Sequence, residues 1–180
     1  RSFFYCKKNF GAASARAGNV IGGGDWSKYR IIPDCIKAVK NKENLKLRNP
    51  SSTRPWQHVL EPLSGYLQLA VALKANPKKF SGSWNFGPKS SDVKSVMDIA
   101  EGLLKFFNKS QIEFEDNMQN NSHEANLLQL NCDKANQDLN WSPRWKFEKT
   151  IDETAKWYKL VMDGSSAIEV TKKQIIEYFS

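Results

Sequence analysis

The residues best suited to chemistry lie between positions 16 and 59. "RNPSSTRPWQHV" (48–59) sets Arg48 and Arg54 on either side of a polar turn, with Trp56 and His58 just behind. A guanidinium offers a planar fork that matches phosphate oxygens, so two around one turn can grip a diphosphate. Pairing with surface acids is the other use of such arginines. "RAGNVIGGGDW" (16–26) runs an apolar stretch into three consecutive glycines, then Asp25 and Trp26. Known phosphate cradles require more than glycine content. A dinucleotide loop needs G-x-G-x-x-G between strand and helix, and Gly18, Gly22, Gly23 and Gly24 do not keep that spacing. A P-loop needs Lys and then Ser or Thr after its last glycine, where this chain has Asp25 and Trp26. By spacing, 22–26 is a turn at the end of a strand. Strand ends in open α/β sheets are nonetheless where ligands sit.

Other chemistries find little support. The two histidines, His58 and His123, lie far apart, and no H-E-x-x-H or C-x-x-C occurs, so no metal site is expected. Cys6, Cys35 and Cys132 are odd in number and widely spaced, which suits free thiols in a reducing compartment. No stretch approaches 18 apolar residues, and no secretory segment opens the chain.

These residues need elements to position them. "SARAGNVI" reads as a buried strand entering the glycines. "IPDCIKAVKNKEN" reads as a helix with Pro33 in its first turn, "LKLR" as a short strand, and "EPLSGYLQLAVALKANP" as a helix that Pro77 follows. "GSWNFGP" is a strand closed by Gly87 and Pro88. In "DVKSVMDIAEGLLKFF", Val93, Val96, Met97, Ala100, Leu103, Leu104 and Phe107 share one helical face, a core stripe. "IEFE" and "LLQLN" are candidate strands. "DKANQDLNW" is a short helix ended by Asn140, and "TIDETAKWYKLVMDG" is a helix closed by Gly164. "TKKQIIEYFS" is a last helix with Thr171 as N-cap. "NMQNNSHE" is the most polar loop. Strands alternating with helices argue for an α/β fold. The 180 residues suit one domain or a large part of one, and a hydrophobic content of 40% is ordinary for a globular fold. The net charge of +8 suggests an anionic partner, but the basic residues are scattered and no nucleic-acid-binding signature accompanies them.

"RAGNVIGGGDW", "IIPD", "RNPSSTRPWQHVLEPLSGYL", "WNFGP", "HEANLLQLNCDKAN", "LNWSPRW" and "ETAKWYK" follow one another in the order of one family. The chain resembles, from about residue 1 to 180, the C-terminal half of the nucleotide-sugar 4,6-dehydratases among the extended short-chain dehydrogenase/reductases. "RAGNVIGGGDW" and "RPWQHVLEPLSGYL" resemble the branch that acts on CDP-glucose; most relatives carry motifs closer to R-x-x-N-V-Y-G-P and R-D-x-x-x-V.

The resemblance implies the C-terminal part of a Rossmann-like NAD(P)-binding fold: the last sheet strands plus a small substrate-binding lobe. Residues 1–180 would be the substrate-binding portion, with the NAD-binding part absent. It implies a lyase that oxidises C4 of the glucose, loses water across C5–C6 and returns the hydride to C6. NAD would be the cofactor and CDP-glucose the substrate, with no nucleic-acid or membrane partner. The parent would be a cytoplasmic homodimer supplying polysaccharide or O-antigen sugars. Asn19 matches the family asparagine between cofactor and sugar diphosphate. Arg16, Ala17 and Gly18 match the strand end near the nicotinamide. Ile32 and Pro33 match the segment along the base, or simply start a helix. Arg54 matches the arginine on the diphosphate, with Arg48 beside it. His58 suits a ligand contact or a packed imidazole equally. His123 and Glu124 fall where relatives place a phosphate-binding arginine.

The same resemblance shows what is missing. The family's Tyr-x-x-x-Lys is absent: Tyr5 leads to Asn9, Tyr29 to Pro33, Tyr66 to Ala70 and Tyr158 to Met162, and Tyr178 is too near the end. The acid pair for C5 and C6 is expected upstream. No catalytic residue is therefore assigned, and the chain alone is expected to be inactive. A sister epimerase, a non-catalytic nucleotide-binding module and, on charge alone, a nucleic-acid binder stay open as alternatives.

Overall fold

A computed structural model describes residues 10–89, 92–108, 112–114 and 129–180. In chain order its elements are β1 (Ala13–Ala17), β2 (Asn19–Ile21), α1 (Ile31–Asn41), β3 (Leu45–Leu47), β4 (Thr53–Arg54), β5 (Trp56–His58), α2 (Leu60–Ala75), α3 (Pro77–Phe80), β6 (Gly82–Phe86), β7 (Lys94–Ser95), α4 (Val96–Phe106), β8 (Ile112–Phe114), α5 (Asp133–Leu139), α6 (Phe147–Met162) and α7 (Ala167–Phe179). The strands pair two by two: β1–β6, β2–β5 and β3–β8 are parallel, and β4–β7 is antiparallel. Parallel pairs joined through helices make this an α/β fold, as the alternation of patterns requires.

The chain changes strand partner at Gly18. The Gly18 N–H donates to the Phe86 carbonyl of β6 (3.1 Å), and the next N–H, of Asn19, donates to the Pro55 carbonyl before β5 (2.9 Å). A Cβ at position 18 would lie 2.4 Å from the Pro55 oxygen, so only glycine lets the two strands converge here. Gln57 ties the same junction, its Nε2 donating to the Phe86 oxygen (2.8 Å).

Two cores hold the frame. The larger joins α1, α4 and α6 over β3 through Cys35, Ile36, Leu45, Ile99, Leu103, Ala155 and Tyr158, all fully or almost fully buried. The smaller gathers Leu69, Trp84, Phe86, Ala135 and Trp141 between α2, β6 and α5. Between them, Glu61 of α2 acts as a buried clasp. Its carboxylate accepts the N–H groups of Arg144 (3.0 Å) and Trp145 (2.8 Å) and the Tyr178 hydroxyl (2.6 Å). It thereby fixes the approach to α6 and the end of α7 to α2.

Several sequence expectations are corrected. β1 is largely exposed rather than buried, since β6 is its one strand partner among the described residues. α4 begins at Val96, because Ser95 and Asp98 form a capping box, and Val93 lies before it; Ile99 joins Ala100, Leu103 and Leu104 in the core. Pro77 opens the short α3, where a missing N–H costs nothing, rather than merely following α2. Residues 129–131 of "LLQLN" are irregular. α7 begins at Ala167, so Thr171 sits inside it, and its Oγ1 accepts the Trp157 indole N–H (2.9 Å). Asn140 does close α5 in the left-handed region (φ 52°), with Trp141 N–H reaching back to the Ala135 carbonyl.

Candidate functional site

The strand switch at Gly18, the glycine turn, the start of α1 and the 46–56 segment surround one cleft of about 1170 Å³. Ala17, Gly18 and Asn19 of the strand junction, the apolar Ile32 and Pro33, and Arg48 and Arg54 all line it. The structure thus brings together seven of the site residues proposed from the sequence. Arg54 is buried, its Nη1 donating to the Thr53 carbonyl (2.9 Å), while Arg48 is exposed.

Two others stand apart. Arg16 points along the β1–β6 pair, its Nη1 reaching Asn85 Oδ1 at 3.5 Å. His58 lies behind the cleft wall, 1% exposed, its ring 4.7 Å from that of Trp145. Its Nδ1 accepts the Leu60 N–H (3.3 Å), and its Nε2 is buried with no partner among the described residues. Burial pushes its pKa down from the usual 6.5 to about 4, so the imidazole is neutral at physiological pH. His123 and Glu124 lie outside the described residues.

The glycine turn serves packing as much as the cleft. An ideal Cβ at Gly23 would sit 2.0 Å from the Trp157 ring of α6, and Gly24 adopts a positive φ of 88°. Gly22 and Gly23 line the cleft on their other side. Beyond them Asp25 builds the rim: its carboxylate accepts the Ser27 N–H (2.9 Å) and pairs with Arg30 (3.4 Å). Burial alone would raise the Asp25 carboxyl, but the Ser27 hydrogen bonds and the Arg30 charge outweigh it and hold the pKa below the usual carboxylate range. The Asp25 carbonyl accepts the Tyr158 hydroxyl (2.6 Å), which locks the turn onto α6.

Sequence reasoning missed Tyr29, Arg30, Asp34 and Lys46, which also line the cleft. Tyr29 carried no signal, because a bulky residue in the left-handed region (φ 63°) is rare. Asp34 is one helical turn beyond Arg30, and burial raises its pKa against the pull of Arg48 and Lys37. Among the described lining residues, Arg30, Lys46, Arg48 and Arg54 outnumber Asp25 and Asp34. The excess of positive charge, with two guanidiniums at different depths, suits an elongated anion. Tyr158 is no base: burial pushes its pKa up to about 12, and its hydroxyl is committed to Asp25. The cleft is equipped to bind and orient.

No family model matches the chain. It is 44% identical over 183 residues to the CDP-glucose 4,6-dehydratase of Salmonella typhimurium, an alignment that covers 99% of this chain and 51% of that protein. The chain therefore spans about half the length of the curated relative it matches. Among solved structures, dTDP-glucose 4,6-dehydratase from Bacillus anthracis, in complex with NAD, is similar with a TM-score of 0.66 at 19% identity, over 84% of this chain and 46% of that one. UDP-glucose-4-epimerase from Stenotrophomonas maltophila, with bound NAD and formylated UDP-arabinopyranose, is similar with a TM-score of 0.74 at 12% identity, over 91% and 52%. These likenesses show the fold: the chain has the architecture of about half of such a dehydratase or epimerase chain.

Proposed function

We infer that the chain, a homologue of CDP-glucose 4,6-dehydratase over half of that enzyme's length, is the C-terminal, substrate-binding portion of an enzyme of that kind. The reaction converts CDP-glucose to CDP-4-keto-6-deoxyglucose and water. The C4 hydroxyl becomes a ketone, the C6 hydroxymethyl becomes a methyl, and the two changes balance without an external oxidant.

Each cleft residue has a role in this reading. Arg54, which is buried, binds the diphosphate with its planar fork. Asn19, delivered by the strand switch at Gly18, donates its amide to a phosphate oxygen without titrating. Ile32 and Pro33 give the base an apolar wall, and Arg48 receives the nucleotide at the rim. His123 and Glu124 contribute from outside the described residues. NAD would supply the removal and return of the hydride, with its pyrophosphate held by the N-terminal part of the parent. Ala17, Gly18 and Asn19 would hold its nicotinamide edge, because they form the β1–β2 junction and line the cleft. We assign the parent to the cytoplasm as a homodimer that feeds polysaccharide sugars. No helix among the described residues is long and apolar enough to cross a membrane.

The observation that carries this reading is the convergence of Asn19, Arg48 and Arg54 on one basic cleft in a chain 44% identical to the dehydratase. Proton NMR of the full-length parent with CDP-glucose and NAD tests it. Appearance of a C6 methyl signal is the expected result, with UDP-glucose turned over far more slowly. Several fold neighbours are epimerases, and an inverted C4 proton with the hydroxymethyl retained would overturn dehydration in favour of that chemistry. This chain by itself is expected to give no turnover.

A further inference from the structure

An exposed arginine at a cleft rim should sweep through many rotamers, because its side chain carries considerable conformational freedom. Arg48 does not stand alone. Its Cζ lies 5.5 Å from the centroid of the Tyr29 ring, the geometry of a cation–π contact. Asp34 acts on it too, as an opposite charge. The Asp34 carboxylate also accepts the Tyr29 backbone N–H, so Asp34 connects both members of the stack.

Tyr29 is held at a cost. Its φ of 63° is one that glycine or asparagine adopts easily and an aromatic residue does not. Tyr29 is 79% exposed, so it is not retained for core packing. Its one described ring contact is Arg48, and both residues line the cleft. A strained, exposed aromatic at a binding cleft, stacked on a cation that the ligand needs, is what preorganisation requires.

We propose that Tyr29 is a positioning residue that fixes the Arg48 guanidinium at the cleft rim, ready for the nucleotide end of the sugar-nucleotide substrate. This rests on the substrate reading above and adds to it a residue outside the phosphate-binding set. Tyr29 acts through Arg48: it removes rotamer freedom before the ligand arrives, so that less is lost on binding. An exposed cation–π pair is worth a factor of about 2 to 5 in affinity.

The test uses steady-state kinetics of the full-length parent with CDP-glucose and saturating NAD, together with melting temperatures. Tyr29→Asn keeps a residue suited to the left-handed backbone and deletes the ring. Its melting temperature should stay the same or rise, while KM rises about 2- to 5-fold and kcat holds. Tyr29→Phe keeps the ring and should behave as wild type. In an Arg48→Ala background, Tyr29→Asn should add nothing further. The proposal is overturned if Tyr29→Asn leaves KM unchanged, if Tyr29→Phe is as weak as Tyr29→Asn, or if the Tyr29 and Arg48 effects add. A wild-type parent that does not turn over CDP-glucose would overturn the substrate reading itself and this proposal with it.

Discussion

The Trp157 ring occupies the space that a side chain at Gly23 would need: an ideal Cβ there falls 2.0 Å from Cδ2 and 2.2 Å from Cγ of the indole. The ring is not free to yield. It is 6% exposed, its N–H is bonded to Thr171, and it packs edge-on to Tyr158. The turn that shapes the cleft is therefore seated on the face of α6.

Gly23→Ala should destabilise the protein by about 2–3 kcal/mol, as overpacking at a rigid site does. Chemical denaturation midpoints check this. Trp157→Leu in the same background should recover part of the loss, since the two positions are in contact and their effects do not add. Equal stability of Gly23→Ala and wild type would refute the packing account of the glycine run.

On the proposed substrate reading, Arg54→Ala should weaken CDP-glucose binding by about 30-fold or more, because it would remove a buried guanidinium from the diphosphate. Arg54→Lys should restore little, since a point charge cannot reproduce the planar fork. Calorimetric titration of the full-length protein reads both. An Arg54→Lys variant that binds as wild type would show that charge alone is needed.

His58 makes stability depend on pH with a definite sign. Its folded pKa, about 4, lies below the ordinary 6.5 because burial disfavours the charged ring. Between these values the unfolded chain holds the extra proton. The contribution is thus complete above about pH 6.5 and is lost as pH falls toward about 4, amounting at most to about 3 kcal/mol. His58→Asn, whose side-chain oxygen can still accept the Leu60 N–H, should flatten the stability profile in that window relative to wild type. Identical slopes for the two proteins would contradict the assignment.

Glu61→Gln should cost about 2–4 kcal/mol. The carboxylate accepts three donors, from Arg144, Trp145 and Tyr178, and an amide would set its own NH2 against one of them. Tyr178→Phe should cost less, about 1–2 kcal/mol, and should raise hydrogen exchange first in α7, whose end it anchors. Uniform acceleration of exchange across the protein would argue against a local clasp.

Much of this was legible in the one-dimensional pattern. Helical periodicity located α4, because one apolar stripe must meet the core, and the punctuation by Pro33 and Gly164 marked α1 and α6. Asn140 marked the end of α5, because few residues tolerate its backbone. Helix starts were less legible: Ser95 caps α4 through its side chain and Ser166 precedes α7 without a side-chain cap, whereas the spacing pointed to Asp92 and Thr171. Residue chemistry singled out Arg48 and Arg54, since guanidiniums around a polar turn suit either an anion or surface acids, whereas Asn19 was singled out only by the family resemblance. The motifs could not tell that His58 is sealed away from the cleft while Arg54, four residues earlier, lines it, because alternation along β4 and β5 assigns faces only once the neighbours of each face are known.

By itself the sequence determined the α/β class and the main helices, and it marked residues 16–59 as the segment whose side chains suit an anion. Local backbone preference and side-chain chemistry are enough for those. Only the tertiary structure decided that Gly18 is where the chain changes strand partner, that Gly23 exists for Trp157, and that Tyr29 stacks on Arg48. Each of these is a contact between segments distant in sequence or a backbone angle held against its preference. Such features come from packing the whole chain, which no local pattern contains.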